Sequence, residues 1–380
     1  MDIEQFTDKK TGSLTRVSSS SGEVWAFVPD ELPTDWEFSA ELWPLLVDAM
    51  TALASLSSIG RYLPSAELLR LPLHWHEAQR SSNLEGTFTS PEQQILFDIG
   101  HKTETRDEDA GDLKEVSNYT DALMARERDF AGLPLSLRLI RGLHAILLRG
   151  VRGANKEPGE FRGVQVGVGS PLRYVPPPAT HLEPLLQNFE QCMHISPPYH
   201  KLVWAFILHY QIEAIHPFRD GNGRVGRLLL AMLIAEWCEL SGQWLFMSGF
   251  YFRNKEEYHD RLLKISTHGD WRGWIEFSLT GVIESAKDTD SRCQKLLTLR
   301  EQYREQTGEA GGSIRLSQIT ELLFKKPVIR IPEIASFTGT SYPTAKTDVE
   351  RLVSAGILVE IDLPPQRTFV ARKLVDIIFA

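Results

Sequence analysis

The sequence predicts a mainly α-helical protein, and three observations carry that prediction. Apolar residues recur at three- and four-residue spacing through most of the chain. One stretch, residues 151–178, breaks the rhythm with five glycines and five prolines. There Val164, Val166 and Val168 alternate against Gln165 and Gly167, the pattern of a short hairpin or extended flap. From Ser313 onward the pattern reads helix, helix, helix, hairpin.

Taken in order, residues 1–30 are polar and irregular, with Ser18 to Ser21 in a row, and read as a loose arm. From Trp36 an apolar stripe of Leu42, Leu46, Ala49 and Leu53 marks the first helix. Pro72 opens a second that runs to Ser82. Residues 89–99 and the charged stretch 111–130 read as a third and fourth. Gly132-Leu133-Pro134 turns the chain into a helix lined by Leu135, Leu139, Leu143 and Leu147. Helices resume at His181, and residues 204–215 and 224–240 flank a glycine-rich loop. Residues 256–267 and 271–286 are helical, and a charged helix, 288–307, leads to the linker Gly308-Glu309-Ala310-Gly311-Gly312.

Composition narrows the class. The 380 residues are 42% hydrophobic and 24% charged, ordinary for a globular protein with a sizeable core. At roughly 150 residues per domain, two or three domains are expected. Forty-one basic residues against 50 acidic ones leave a net charge of −9, which argues against a protein that coats nucleic acid. Cys192, Cys238 and Cys293 are scattered, with no C-x-x-C pair, so neither a disulfide framework nor a zinc site is supported and a cytoplasmic setting is expected. The segment Met1-Asp2-Ile3-Glu4 has no signal-peptide character, and the apolar run 228–235 is too short for a membrane span.

Chemistry concentrates in His216-Pro217-Phe218-Arg219-Asp220-Gly221-Asn222-Gly223-Arg224-Val225-Gly226-Arg227. An apolar helix runs in and another runs out. Gly221 and Gly223 can take positive φ, which lets backbone N–H groups form an anion-binding nest at a helix N-terminus. Arg224 and Arg227, at i and i+3 on that first turn, can reach one polyphosphate. Asp220 offers a hard oxygen to Mg²⁺. His216, at the loop mouth, suits a general base near pH 7. Together these groups point to phosphoryl or nucleotidyl transfer.

The segment matches His-x-Phe-x-(Asp/Glu)-Gly-Asn-Gly-Arg-x-x-Arg at every defined position, and so resembles the Fic family. The resemblance implies a Fic-type helical core with a short β-hairpin flap, and AMP transfer from ATP to a Ser, Thr or Tyr hydroxyl of a target protein. It implies that His216 deprotonates that hydroxyl and that Phe218 anchors the loop. Asp220 would hold Mg²⁺ on the α- and β-phosphates. Asn222 and the amides of Gly221, Gly223, Val225 and Gly226 would hold the α-phosphate, and Arg224 and Arg227 the β- and γ-phosphates.

Ser81-Ser82-Asn83-Leu84-Glu85-Gly86 fits (Ser/Thr)-x-x-x-Glu-(Gly/Asn), similar to that family's inhibitory-helix motif. Glu85 would end a short helix, with Gly86 at C′. A carboxylate beside Arg227 competes with the γ-phosphate and leaves the α-phosphate out of line, where a misplacement of about 1 Å costs roughly 100-fold. The resemblance also makes 160–177 the flap. Val164, Val166 and Tyr174 would pair with an extended target segment and register it against His216. It places Asn254 and Tyr258 at the adenine, although Tyr258 reads equally well as core. His74 and His76, at i and i+2, point to different helix faces, so no metal pair is expected. His209, on an apolar helix, reads as a satisfied core histidine.

The tail resembles a winged helix-turn-helix, with residues 342–355 in the recognition-helix position. Residues 312–380 carry nine basic and seven acidic side chains, a net of +2, and Asp348 and Glu350 on the third helix would repel phosphates. Four parts are thus expected: an N-terminal helical domain with the brake (1–130), the catalytic core (131–287), a helix and linker (288–312) and the winged-helix unit (313–380). The implied partners are ATP, Mg²⁺ and a target protein, and no membrane. Self-modification, a homodimer, DNA binding by a nucleotide-sensing regulator and removal of AMP from a modified protein stay open.

Overall fold

The structure is a computed structural model and describes residues 1–7, 11–19, 22–32, 36–62, 67–98, 107–151, 156–240, 245–361 and 367–380. The helices expected before the loop are α1 (Trp43–Tyr62), α2 (Glu67–Leu84), α3 (Pro91–Asp98), α4 (Asp107–Arg128), α5 (Leu137–Leu147), α6 (Leu182–His194) and α7 (Lys201–Ile215). After it come α8 (Asn222–Trp237), α9 (Ser248–Arg253), α10 (Lys255–His268) and α11 (Trp271–Glu309). The chain closes with α12 (Ile314–Leu323), α13 (Ile331–Thr338), α14 (Tyr342–Ser354) and α15 (Arg372–Phe379).

At the centre lies α7, buried on nearly every face. A helix apolar all round belongs in the middle of a core, and α6, α8, α11 and strand β2 (Gly22–Pro29) pack against it. Its polar atoms are satisfied internally. Trp204 donates its indole N–H to Cys192 O at 3.0 Å, and Trp274 of α11 donates to Phe206 O at 3.0 Å. His209 is a core histidine, as expected: Nδ1–H donates to Gly226 O (3.2 Å), and Nε2 accepts from the Tyr258 hydroxyl (2.9 Å). Around this centre α2, α4, α5 and α8 pack on one another, which brings residues far apart in sequence to one cleft.

Several expectations are corrected. The loose arm is an antiparallel hairpin of β1 (Gly12–Ser19) and β2, in register Leu14↔Phe27 and Val17↔Val24. Ala26 and Phe27 are buried and Phe27 N–H donates to Val175 O, which holds the hairpin on the body of the protein, while Ser13 and Ser18 are exposed. Pro72 does not open α2 but lies inside it. Leu69, Leu73 and Trp75 are buried around it, and that packing outweighs the missing backbone bond. Residues 271–286 and 288–307 are not two helices. α11 runs unbroken across residue 287, because Cys293, Leu296, Leu299 and Tyr303 continue its buried stripe.

In the flap, extended pairing shrinks to one bridge, Val168 with Tyr174, and Val164 is exposed. At the end of the chain β3 (Val328–Arg330) and α15 were not anticipated. β3 joins β4 (Val359–Ile361) and β5 (Thr368–Val370) in an antiparallel sheet of order β3-β5-β4. The hairpin tip, 362–366, lies outside the described residues. Asp348 is not a repulsive surface charge: it is buried, and Arg315 donates to it at 2.8 Å. Among the described residues no helix is long and apolar enough to cross a membrane.

Candidate active site

The loop between α7 and α8 holds the residues that the motif singled out. α7 ends at His216, whose φ of 50° and ψ of 61° lie in the left-handed region that a non-glycine residue adopts at a cost. That turn swings the imidazole to the mouth of the cleft. Positive φ was expected at Gly221 and Gly223. Gly221 has it (φ 75°) and caps α8, whereas Gly223 is an ordinary helical residue. The absence of a side chain on Gly223 matters for a different reason: a Cβ there would lie 2.5 Å from Glu85 Oε1. The first intrahelical bond is Val225 N–H to Gly221 O (3.0 Å), so the amides of residues 222–224 form the unpaired N-terminal turn that favours an anion.

Two residues lock the loop from within. Phe218 is fully buried and stacks on His144 at 3.8 Å. Asn222 does not present its side chain to the cleft as expected. Its Oδ1 accepts from Phe218 N–H (2.8 Å) and its Nδ2 donates to Phe218 O (2.9 Å), closing a ring with the loop backbone. Val225 and Gly226 are buried in α8, and a Cβ at Gly226 would clash with Glu213 Oε1, so any larger residue there displaces the Glu213 carboxylate.

His216 Nδ1 lies 3.3 Å from Glu213 O. A carbonyl only accepts, so Nδ1 carries the hydrogen and Nε2 keeps a lone pair. Burial pushes its pKa down to about 4, so the ring is neutral at pH 7. Burial raises the neighbouring Glu213 carboxyl to about 7. Asp220 accepts from Gly221 N–H at 2.7 Å and lies 3.3 Å from the Lys156 ammonium.

Both arginines carry acids. Arg224 pairs with Glu115 of α4 at 3.1 Å, both side chains only 5% exposed, and Thr87 also donates to Glu115 (2.9 Å). Arg227 is buried and donates to Ser81 Oγ (2.8 Å), Ser81 O (3.0 Å) and Glu85 Oε1 (2.7 Å). The Glu85 side chain is 41% exposed. Burial raises its pKa, but the Arg227 guanidinium overrides this and the net shift is downward. The helix carrying Ser81 is not short, since α2 spans 18 residues and ends at Leu84; Glu85 follows directly, and Gly86 lies at φ 86°.

Three positioning residues escaped the sequence reading besides Glu115. Arg162 is a buried guanidinium that lies on carbonyls only: Nε on His216 O (2.8 Å), and the Nη groups on Val164, Pro177 and Ile215. It ties flap to loop. His144 accepts from Gly159 N–H at Nδ1 (2.8 Å), so its Nε2–H donates to Asp220 O (3.0 Å) and fixes that residue's main chain. Lys156 is the cation facing Asp220. Arg162 stood inside the quoted flap segment, but a histidine on an apolar stripe carried no signal. Of the remaining expected residues, Tyr174 anchors the flap by donating to Ala214 O (2.9 Å). Val166 is half-buried beside it. Asn254 Nδ2 donates to Phe250 O, and Tyr258 is core, stacked on Tyr251 at 4.1 Å.

Comparison with known proteins agrees with this geometry. Residues 43–125 match the model of the Fic/DOC family N-terminal region, and residues 134–234 that of the Fic/DOC family. A protein adenylyltransferase Fic of Aedes aegypti is 30% identical over 172 residues, 43% of this chain and 30% of the relative. One from Drosophila persimilis is 31% identical over 192 residues, 49% and 35% respectively. The chain therefore spans about a third of the length of these curated relatives. A Fic family protein of Desulfovibrio desulfuricans G20 shares the fold over 89% of this chain and 98% of its own, at TM-score 0.61 and 20% identity. Fic-1 of C. elegans (residues 134–508) does so over 67% and 76%, at 0.52 and 19%.

Proposed function

From a chain that belongs to the Fic/DOC family, we propose an autoinhibited protein adenylyltransferase that moves AMP from ATP to a Ser, Thr or Tyr hydroxyl of a target protein or of itself. One observation carries the reading: His216, with Nε2 free to accept, and the first turn of α8 with Arg224 are joined by the five-residue loop 217–221. In this mechanism His216 Nε2 takes the proton of the hydroxyl. The hydroxyl oxygen bonds to the α-phosphorus, the bond from that phosphorus to the bridging oxygen breaks, and pyrophosphate leaves. The free amides of residues 222–224 and the guanidinium groups meet the phosphate charge in place before the reaction, which is positioning plus electrostatic stabilisation. The flap around exposed Val164 and half-buried Val166, next to the Val168–Tyr174 bridge, would align an extended target segment.

The site suits Mg²⁺. The Asp220 carboxylate faces solvent on one side, and the cation it meets is the ammonium of Lys156. Among the described residues no three acidic, histidine or cysteine side chains form a metal cage. That agrees with an ion held by one carboxylate plus phosphate oxygens and water. When bound it would neutralise charge on the α- and β-phosphates.

Glu85 is the brake. It occupies the Arg227 guanidinium that the γ-phosphate would use, and Ser81 holds the same group from the preceding turn. The unit from Ser313, with four helices (α12 to α15) and three strands, supports a winged-helix assignment, with the expected domain limits joined by α11. Three free cysteines fit a reducing, cytoplasmic setting. Intact mass after incubation with ATP and Mg²⁺ tests the reading. Glu85→Gly is expected to gain AMP, the wild type little, and Glu85→Gly/His216→Ala none. No gain in any sample, alone or with cell extract as a source of target, would overturn it.

A further inference from the structure

The last helix of the chain lies on α2, the helix that carries Ser81 and leads directly into Glu85. α15 buries Leu374, Val375, Ile378 and Phe379 and packs on α2, α3 and α11. Its final carbonyls are the groups that a helix end leaves without intrahelical partners. Two arginines from distant parts of the chain meet them. Arg292 on α11 donates through Nη1 to Ile377 O (2.5 Å) and Ile378 O (3.0 Å). Arg80 on α2 donates through Nη2 to Phe379 O at 3.3 Å. Cations at this end also complement the helix dipole.

Both guanidinium groups also converge on His76 of α2. Arg80 Nε lies 3.3 Å from His76 Nε2, and Arg292 Nη2 lies 3.4 Å from the same atom. A nitrogen that accepts from two guanidinium groups carries no proton, and burial together with Arg292, Arg80 and Arg253 holds this ring well below its usual pKa. Arg80 and Ser81 are adjacent, about 100° apart around α2, and serve different neighbours. Ser81 and Glu85 hold Arg227, while Arg80 holds α15. α15 in turn starts one residue after β5, and the residue between them, Ala371, donates to Pro327 O at 2.8 Å. The C-terminal sheet, α15 and the inhibitory helix thus form one connected chain of contacts.

We infer that the outer face of α2, centred on His76 and Arg80, is a docking surface for the C-terminal unit, and that α15 seated there keeps Glu85 against Arg227. The inference rests on the autoinhibited-transferase reading above. It makes the C-terminal unit the regulatory input. A partner that draws α15 away would release the brake from behind, without entering the catalytic cleft.

The test uses the full chain carrying Arg80→Ala, with Ile378→Ala as a second variant on the other side of the interface. Hydrogen exchange of residues 79–86 and AMP incorporation are measured together, each variant in the wild-type and Glu85→Gly backgrounds. The expected result is exchange faster by about fivefold, the size of one net hydrogen bond, and AMP incorporation raised by a similar factor. No further gain is expected once Glu85 is already glycine. Exchange unchanged in both variants overturns the inference whatever the enzymology shows. Faster exchange in which Glu85→Gly is active but Arg80→Ala gains nothing also overturns it. Faster exchange with no AMP transfer even in Glu85→Gly upholds the docking surface and sinks the transferase reading instead.

Discussion

Arg224 and Arg227 stand three residues apart on the first turn of α8 and each is bound to a glutamate, but the two pairs are unlike. Arg224 and Glu115 are both buried, at 5% exposure each, and Thr87 also donates to the carboxylate. Glu85 reaches Arg227 from a helix end and leaves 41% of its side chain in solvent. A buried pair is hard to exchange, because removing one partner strands the other's charge in the core. A half-exposed carboxylate gives way to a better anion at small cost. The first pair therefore holds the cleft together, and the second can be displaced. On this comparison the proposed contest between nucleotide phosphates and the brake would centre on Arg227 rather than Arg224.

The largest expected effect tests the base beside both pairs. In a Glu85→Gly background, His216→Ala should lower AMP incorporation by about 10²- to 10⁴-fold, the usual worth of a positioned general base. The same background checks its protonation. The free-enzyme profile of kcat/KM should keep its rate well below pH 6.5, with the acid limb near the His216 value of about 4. A limb at 6.5 would mean that the ring is solvated. Next, Glu115→Ala should cost about 3–5 kcal/mol of unfolding free energy, since it strands Arg224. If denaturant unfolding shows a change as small as that of Glu85→Ala, the contrast between the pairs is broken. Glu85→Gly should raise AMP incorporation by about 100-fold, with little change in Tm.

The smallest effect concerns Glu77. It is buried on α2 one turn before Ser81, and Tyr119 and Ser248 donate to it. Burial raises its pKa from an ordinary 4.5 to about 7. The native state then holds this proton longer than the unfolded chain does. Its contribution to stability is fully present below pH 4.5 and is lost as pH rises through 7. The Tm of Glu77→Gln relative to wild type should therefore increase by a few degrees from pH 5 to pH 8. A difference that stays flat across that range would mean that Glu77 is already ionised in the folded protein.

The two sides of the cleft also differ in how far they could be read from the sequence. His216, Asp220, Gly221, Arg224 and Arg227 fall on one loop and one helical turn, so residue order already implies their proximity. The anionic side is assembled over distance: Glu115 lies more than a hundred residues from Arg224, and no spacing rule links them. Glu85 was legible only because its motif is local to one helix end. Arg162 and His144 act on backbone carbonyls, which have no residue identity and leave no pattern. Helix periodicity located nearly every helix, whereas the β1–β2 hairpin was missed because its polar face masked the buried Ala26 and Phe27. α11 was divided in two because its charged face hid an unbroken apolar stripe.

That helix has a mechanical property of its own. At 1.5 Å per residue its 39 residues form a rod of about 58 Å. It packs against α1, α9 and α10 as well as against α12 and α15. Tilting such a rod by about 1° about one end moves the other by about 1 Å, the displacement at which in-line geometry is forfeited. Its length would thus turn a rigid rotation too small to disturb the packing at one end into a displacement of about 1 Å at the other.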